Sequence, residues 1–157
     1  MRAHELTADD YQALAEFRYQ IRRFLHFSER AARVAGINPQ QHQLLLAIKG
    51  LPSGVEPNIG EIAGRLHVRH HSAVELSDRL SIIGLVRKTR AKEDRRRVLL
   101  KITPRGEAVL RKLSLIHRAQ LEAVGSSVIQ TLKELIDDNA GLHGKTPSPK
   151  KRIRHSR

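Results

Sequence analysis

Apolar residues recur at three- and four-residue steps through Leu14, Phe17, Ile21, Phe24 and Leu25, the period of an amphipathic helix. Thr7 ahead of Asp9 and Asp10 supplies a cap and first-turn acids, and Gly36 supplies a stop. All five aromatic side chains (Tyr11, Phe17, Tyr19, Phe24, Phe27) fall in this one helix. Its broad apolar face therefore needs either the chain's other helices or a second copy to cover it. Asn38-Pro39, a cap followed by proline at the first helical position, opens a second helix that runs to Lys49. Leu44, Leu45, Leu46 and Ile48 cover most of its girth, which predicts a central, buried helix. Residues 50–57 read as a loop by their glycine and proline content, with Val55 as a candidate strand residue.

Beyond Asn58 the periods shorten. Residues 58–68 form a short amphipathic pattern with Ile59, Ile62 and Leu66 inward. Residues 69–83 form a second, with Ala73, Leu76 and Leu80 inward and Val74 beside them. Ala63 and Val68 are the small and apolar residues that a crossing of two helices and its turn require. Leu85-Val86 and residues 98–103 then read as strands on either side of the charged segment Ala91-Lys92-Glu93-Asp94-Arg95-Arg96-Arg97. Helix, turn, helix, strand, charged loop, strand is the order of a winged helix-turn-helix.

Thr103-Pro104 starts another helix, with Val109, Leu110, Leu113, Ile116, His117, Leu121 and Val124 at helical spacing. Gly125 is expected to break it. Ser127 with Gln130 reads as a capping box for a last helix carrying Val128, Leu132, Leu135 and Ile136, which Gly141 stops. The predicted fold class is thus mainly α with a small β-wing, a winged helix-turn-helix plus N- and C-terminal helices, which the family resemblance given below makes dimerisation helices. With that resemblance the expected organisation is an N-terminal dimerisation helix at 1–35, the winged helix-turn-helix DNA-binding domain at 36–106, C-terminal dimerisation helices at 107–142 and a disordered basic tail at 143–157.

Charge sharpens this. The 157 residues carry a net +13, and it is not evenly spread. Residues 87–105 hold a net +7 and residues 143–157 a net +6, which leaves the rest of the chain neutral. Two concentrated basic segments on a neutral scaffold are an electrostatic footprint for a polyanion. There is no cysteine, so disulfides, thiolate metal sites and thiol redox sensing are excluded. No apolar run approaches the ~20 residues of a membrane span, and the polar N-terminus is no signal peptide, so a cytoplasmic protein without a membrane partner is expected.

On the second helix of the pair, Arg69, His70, His71, Ser72, Glu75 and Arg79 point outward near its N-terminal half, where this motif reads base edges in the major groove. Arginine suits guanine and phosphate, and serine and histidine suit several bases. Glu75 is assigned an ion pair with Arg79, four residues on, rather than a base contact. Lys92, Asp94, Arg95, Arg96 and Arg97 sit in the wing, whose arginines suit the negative potential of a narrow minor groove, with Asp94 expected to accept from the Arg96 guanidinium. The alternative for the wing is a solvated charge run on a surface hairpin. His67 and His71 stand at i, i+4, but a turn separates them and nothing completes a tetrahedral set, so no metal is expected. No nucleophile–base pair, phosphate loop or paired carboxylates appear, so neither an enzyme nor a cofactor is expected.

The chain resembles the MarR family of winged-helix transcriptional regulators. The resemblance is carried by Ile59-Gly-Glu-Ile-Ala63, Leu66, His71-Ser-Ala-Val74, Asp78-Arg-Leu80 and Gly84-Leu-Val86, continues through Asp94-x-Arg96, Ile102-Thr103 and Gly106, and reaches upstream through residues 39–46. It covers roughly residues 10–140. His67 departs from it, standing where the family often has glycine, and the basic tail lies outside it. The resemblance implies a homodimer with interleaved N- and C-terminal helices on pseudo-palindromic double-stranded DNA. Leu14, Phe17, Ile21, Phe24, Leu121, Val128, Leu132 and Leu135 are the expected interface. It also implies a small-molecule effector between the dimerisation and DNA-binding parts, where His26 or His42 could hydrogen-bond a ligand or serve instead as satisfied interface histidines. The expected function is a sequence-specific homodimeric transcriptional regulator, a repressor relieved by an effector. The alternative is a nonspecific, chromatin-like nucleic-acid-binding module.

Overall fold

The structure, a computed structural model, describes residues 6–140. The expected stop at Gly141 and the basic tail lie outside the described residues.

Helix α1 spans Ala8–Val34. The Thr7 hydroxyl accepts from the Asp10 amide at 3.2 Å, and the Asp10 carboxylate accepts in return from the Thr7 amide at 2.7 Å. That reciprocal pair satisfies two of the orphan donors of a helix start. At the other end the Gly36 amide donates to the Arg33 carbonyl and the Ile37 amide to that of Ala32, the paired bonds that close a helix at its C-terminus. Helix α2, Pro39–Lys49, begins with the expected Asn38 cap, completed by Gln41. Leu44 and Leu45 are fully buried, but Leu46 is 44 % exposed, which corrects the expectation of a helix buried all round.

Helix α3, Ile59–Leu66, is capped by Asn58, which accepts from the Glu61 amide. Helix α4 covers His70–Ile82. Between them His67 adopts φ +51, the left-handed region. A side chain there costs about 1–2 kcal/mol, which accounts for the glycine expected at this position. Because glycine also loses more backbone entropy on folding, His67→Gly is expected to stabilise the protein by a net of about 0.5 kcal/mol, read as a rise in chemical-denaturation midpoint at unchanged m-value.

Strands β1, Val86–Arg90, and β2, Val98–Ile102, form one antiparallel pair in which Val86 faces Ile102 and Arg90 faces Val98. The third-strand pairing does not fall at Val55, whose amide turns onto Pro52. It falls at Asn58, which bridges Leu99 while Pro57 accepts from the Leu100 amide at 2.8 Å. The proline–asparagine pair sits directly before α3 and so fixes the wing to the first helix of the motif.

Helix α5 runs unbroken over Pro104–Ala140, which corrects the expected break at Gly125. A glycine inside a helix costs only about 1 kcal/mol relative to alanine, too little to end a helix this long. Ser127 is not a cap, since its carbonyl accepts from the Thr131 hydroxyl, and Gln130 reaches forward to Glu134 instead of back to a helix start.

The described residues fall into two compact units. The larger, residues 22–123, carries the core, in which α2 packs against α3, α4 and β2, and Leu44, Leu45, Ile62, Leu80, Leu100 and Leu113 are closed off from solvent. The smaller pairs the start of α1 with the end of α5. There Gln20 is buried and donates to Ser127 and Glu16, while Leu14, Ile21 and Ile129 remain exposed. Among the described residues no helix is long and apolar enough to cross a membrane.

Candidate nucleic-acid interface

Helix α4 enters from an extended Arg69 with no side-chain cap and no acid in its first turn. Its leading amides are therefore left for an external acceptor, with the positive end of the helix dipole behind them. Arg69, His70, His71, Glu75 and Arg79 are exposed there and Ser72 is half-buried. The Glu75–Arg79 pair is present at 4.0 Å, but with both side chains about two-thirds exposed it contributes little stability.

The far end of α4 is fixed by contacts that the sequence pattern does not show. Gly84, at φ +73, turns the chain from α4 into β1. Its carbonyl accepts from the Thr103 hydroxyl at 2.7 Å, and the Arg105 guanidinium donates to the Ile83 carbonyl at 3.1 Å. Lys88 of β1 forms an ion pair with Asp78 on α4. Helix α4 is thus tied at its C-terminus to the wing and to the first turn of α5.

The wing loop is ordered by its own backbone. The Ala91 amide donates to the Arg97 carbonyl and the Arg97 amide to that of Asp94, both at 3.0 Å. Asp94 Oδ1 accepts from the Arg96 amide at 2.9 Å, not from its guanidinium, which corrects the expected side-chain pairing. An aspartate two residues ahead in a turn reaches the backbone more readily than a long flexible side chain. Arg97 pairs with Glu56 at 2.8 Å, anchoring the return limb to the loop before α3. Lys92, Arg95 and Arg96 are exposed and make no ion pair among the described residues. A groove of about 300 Å³ runs from Asn58 and Gly60 past His70 to Lys88 and Arg96, joining the start of α3, the recognition helix and the wing.

The two histidines expected at a ligand cleft differ. His26 is exposed on α1, while His42 is 2 % exposed on α2. The His42 ring stacks on His117 of α5, with centroids 4.8 Å apart and planes at 29°. Burial, with the neighbouring imidazole, lowers the His42 pKa from 6.5 to about 4. Burial also lowers that of His117, against a hydrogen bond to the Ser28 backbone that raises it. Phe24 and Phe27 meet His117 edge-on at 6.0 and 6.1 Å. In the sequence His117 is only one member of the α5 stripe, and its polarity within that stripe is the signal.

Of the expected interface residues, Leu14, Ile21 and Leu121 are exposed by 40 % or more, and Phe17, Phe24, Val128, Leu132 and Leu135 are half-buried in the single chain. His67, His70 and His71 are all exposed, and among the described residues no group of three or more His, Asp or Glu could hold a metal ion.

Residues 35–97 match the family model described as MarR family. No curated protein matches the chain. Solved structures resemble it over most of its length. One is AbsC, a MarR family transcriptional regulator from Streptomyces coelicolor, with a TM-score of 0.68 and 18 % identity over 91 % of this chain and 100 % of that one. FabT from Streptococcus pneumoniae, solved in complex with DNA, gives 0.64 and 20 % over 85 % and 97 %. CouR from Rhodococcus jostii, bound to p-coumaroyl-CoA, gives 0.57 and 21 % over 81 % and 88 %. At these identities the likeness is one of fold.

Proposed function

We propose, with residues 35–97 belonging to the MarR family as the premise, that this chain is a homodimeric, sequence-specific DNA-binding regulator that represses transcription and is released by a small effector. The observation that carries this is the joint presentation of an uncapped, cationic helix start and a wing whose Arg95 and Arg96 make no ion pair among the described residues while its backbone is internally bonded. Arg69, His70, His71 and Ser72 would meet the major groove and Arg79 a phosphate. Lys92, Arg95 and Arg96 would reach the minor groove, with Arg97 and Asp94 holding the loop that presents them. FabT solved with DNA and CouR solved with p-coumaroyl-CoA support both halves of the reading by likeness of fold.

A cavity of about 410 Å³ beside α2 and α5 suits an effector. The exposed Leu46 and the buried Leu110 form its apolar floor, and at its edge Arg111 stands beside a Lys49 already paired with Glu107 at 2.8 Å, a lining that fits an apolar ligand bearing one anionic group. Two recognition helices on one face of a duplex must sit about one turn, ~34 Å, apart, so a ligand that changes their separation by a few ångströms weakens binding.

The deciding experiment is selection of bound sequences from a random duplex pool at ~0.15 M salt, where loose phosphate attraction is suppressed. An inverted repeat with half-sites about one turn apart supports the reading, and absence of any enriched sequence favours nonspecific binding. On the selected duplex, Arg96→Ala is expected to weaken binding by about 1–3 kcal/mol. An unchanged affinity would remove the wing arginine from the mechanism.

A further inference from the structure

The DNA-binding face leaves one pair of titratable groups unused. His42 lies in the apolar stretch of α2 and His117 in the apolar stripe of α5, and they are 2 % and 8 % exposed. With one nitrogen of His117 bonded to the Ser28 backbone, the other, Nε2, is buried with no hydrogen-bond partner among the described residues. The flat faces of the two rings meet at 4.8 Å, and phenylalanine edges close the side toward α1. The charged side chains on the neighbouring turns (Glu29 and Arg30 of α1, Lys49 of α2, Lys112 and Arg118 of α5) are all exposed, as is His26. The influences on His42 are burial and the other imidazole, and those on His117 are burial and the Ser28 backbone. A proton added to either ring would therefore be a buried charge facing a second ring that can also charge, with no carboxylate to receive it.

We propose that the His42–His117 stack is an acid-operated latch. Protonation separates the two rings and releases α2 from α5, and DNA affinity falls as the pH drops below neutral. The consequence reaches DNA because α2 also packs against α3 and α4, so its release disturbs the support of the recognition helix. The sign follows from the shift. His42 titrates near 4 when latched and near 6.5 when open, so the latched state is fully favoured above pH 6.5 and loses ground from there down to about 4. At pH 5 the open state gains about thirtyfold from His42 alone, and protonation of His117 acts in the same direction.

The latch rests on the DNA-binding reading above, and the test separates the two. Affinity of the full chain for the duplex it enriches at pH 7.5, together with its thermal midpoint, is measured from pH 7.5 to 5.0 at constant ionic strength. The wild type is expected to lose affinity progressively below pH 6.5, by up to about thirtyfold per protomer from His42, with a parallel drop in midpoint. The double variant His42→Leu/His117→Phe is expected to keep both nearly constant, and His117→Gln, which preserves a neutral polar side chain, to reduce the loss if the double variant folds poorly. Wild-type affinity that stays level or rises overturns the latch. So does an equal fall in the double variant or His117→Gln, or a falling midpoint with steady affinity. Absence of binding at pH 7.5 overturns the functional reading and the latch with it, whereas intact binding at pH 7.5 without an acid response overturns the latch alone.

Discussion

Gly106→Ala is expected to lower stability by about 3 kcal/mol, a larger loss than most single substitutions produce. A Cβ at this position would lie 2.2 Å from the Leu85 carbonyl oxygen and 2.7 Å from Ile102 Cγ2. Neither neighbour can give way cheaply. The Leu85 carbonyl accepts from the Thr103 amide at 3.0 Å, and Leu85 itself is buried. Gly106 in turn donates its amide to the Thr103 hydroxyl, the same hydroxyl that donates to the Gly84 carbonyl. The first turn of α5, the entry to β1 and the end of the recognition helix therefore meet at one glycine, and a methyl group there must push α5 or the wing aside. A thermal melt is expected to show a fall of about 10 °C, with weaker operator binding even where the variant remains folded. Gly125→Ala is the control. A Cβ there meets nothing within 4 Å, so the helix propensity of alanine should raise stability by about 0.5–1 kcal/mol. Equal behaviour of the two variants would show that the close approach at Gly106 does not constrain the fold.

The contrast between these glycines marks what the sequence could show. Both stand in one helical pattern, in which propensity sets Gly125 down as a break, while only the family resemblance marks Gly106. Only the partner backbone distinguishes them, and Leu85 lies 21 positions upstream of Gly106. The legible features were those written within one or two turns: the Asn38 and Asn58 caps, the inward Ala73, Leu76 and Leu80, and the strands flanking the charged loop. The outward face of α4 follows from the same period, so the candidate DNA-facing residues could be named before any coordinates. What stayed hidden depends on distant segments meeting. Arg97 finds Glu56, Lys88 finds Asp78 and Arg105 finds the end of α4, and none of these spacings belongs to a helix or a strand. Asp94 was assigned the right loop but the wrong donor, because charge pairing was weighed above the short reach of an aspartate to its own turn. His42 was singled out as a possible ligand group, yet its partner His117 was hidden among leucines and isoleucines on another helix.

The double variant Leu14→Asp/Ile21→Asp is expected to convert the protein from dimer to monomer at ~10 μM and to lower operator affinity at least ~100-fold, through loss of the second half-site contact. In the unit formed by the start of α1 and the end of α5, Leu14, Ile21, Tyr11, Ile129 and Ile136 are each at least 40 % exposed. Two helix ends leave that much apolar surface uncovered between themselves, and the proposed dimer would bury it. Across a two-fold axis each substitution acts twice, so the variant would bury four carboxylates without partners, at a cost of several kcal/mol apiece. The core side chains Leu44, Ile62 and Leu80 belong to the other unit, so circular dichroism should show the helices of residues 22–123 intact. Phe24→Asp would be a poorer test, because Phe24 also packs against His117 and its loss would disturb the chain's own interior. Analytical ultracentrifugation gives the outcome directly. A persisting dimer would place the interface elsewhere and leave the exposed start of α1 for another partner. A monomer with intact helices would show that these helix ends form the proposed dimer interface.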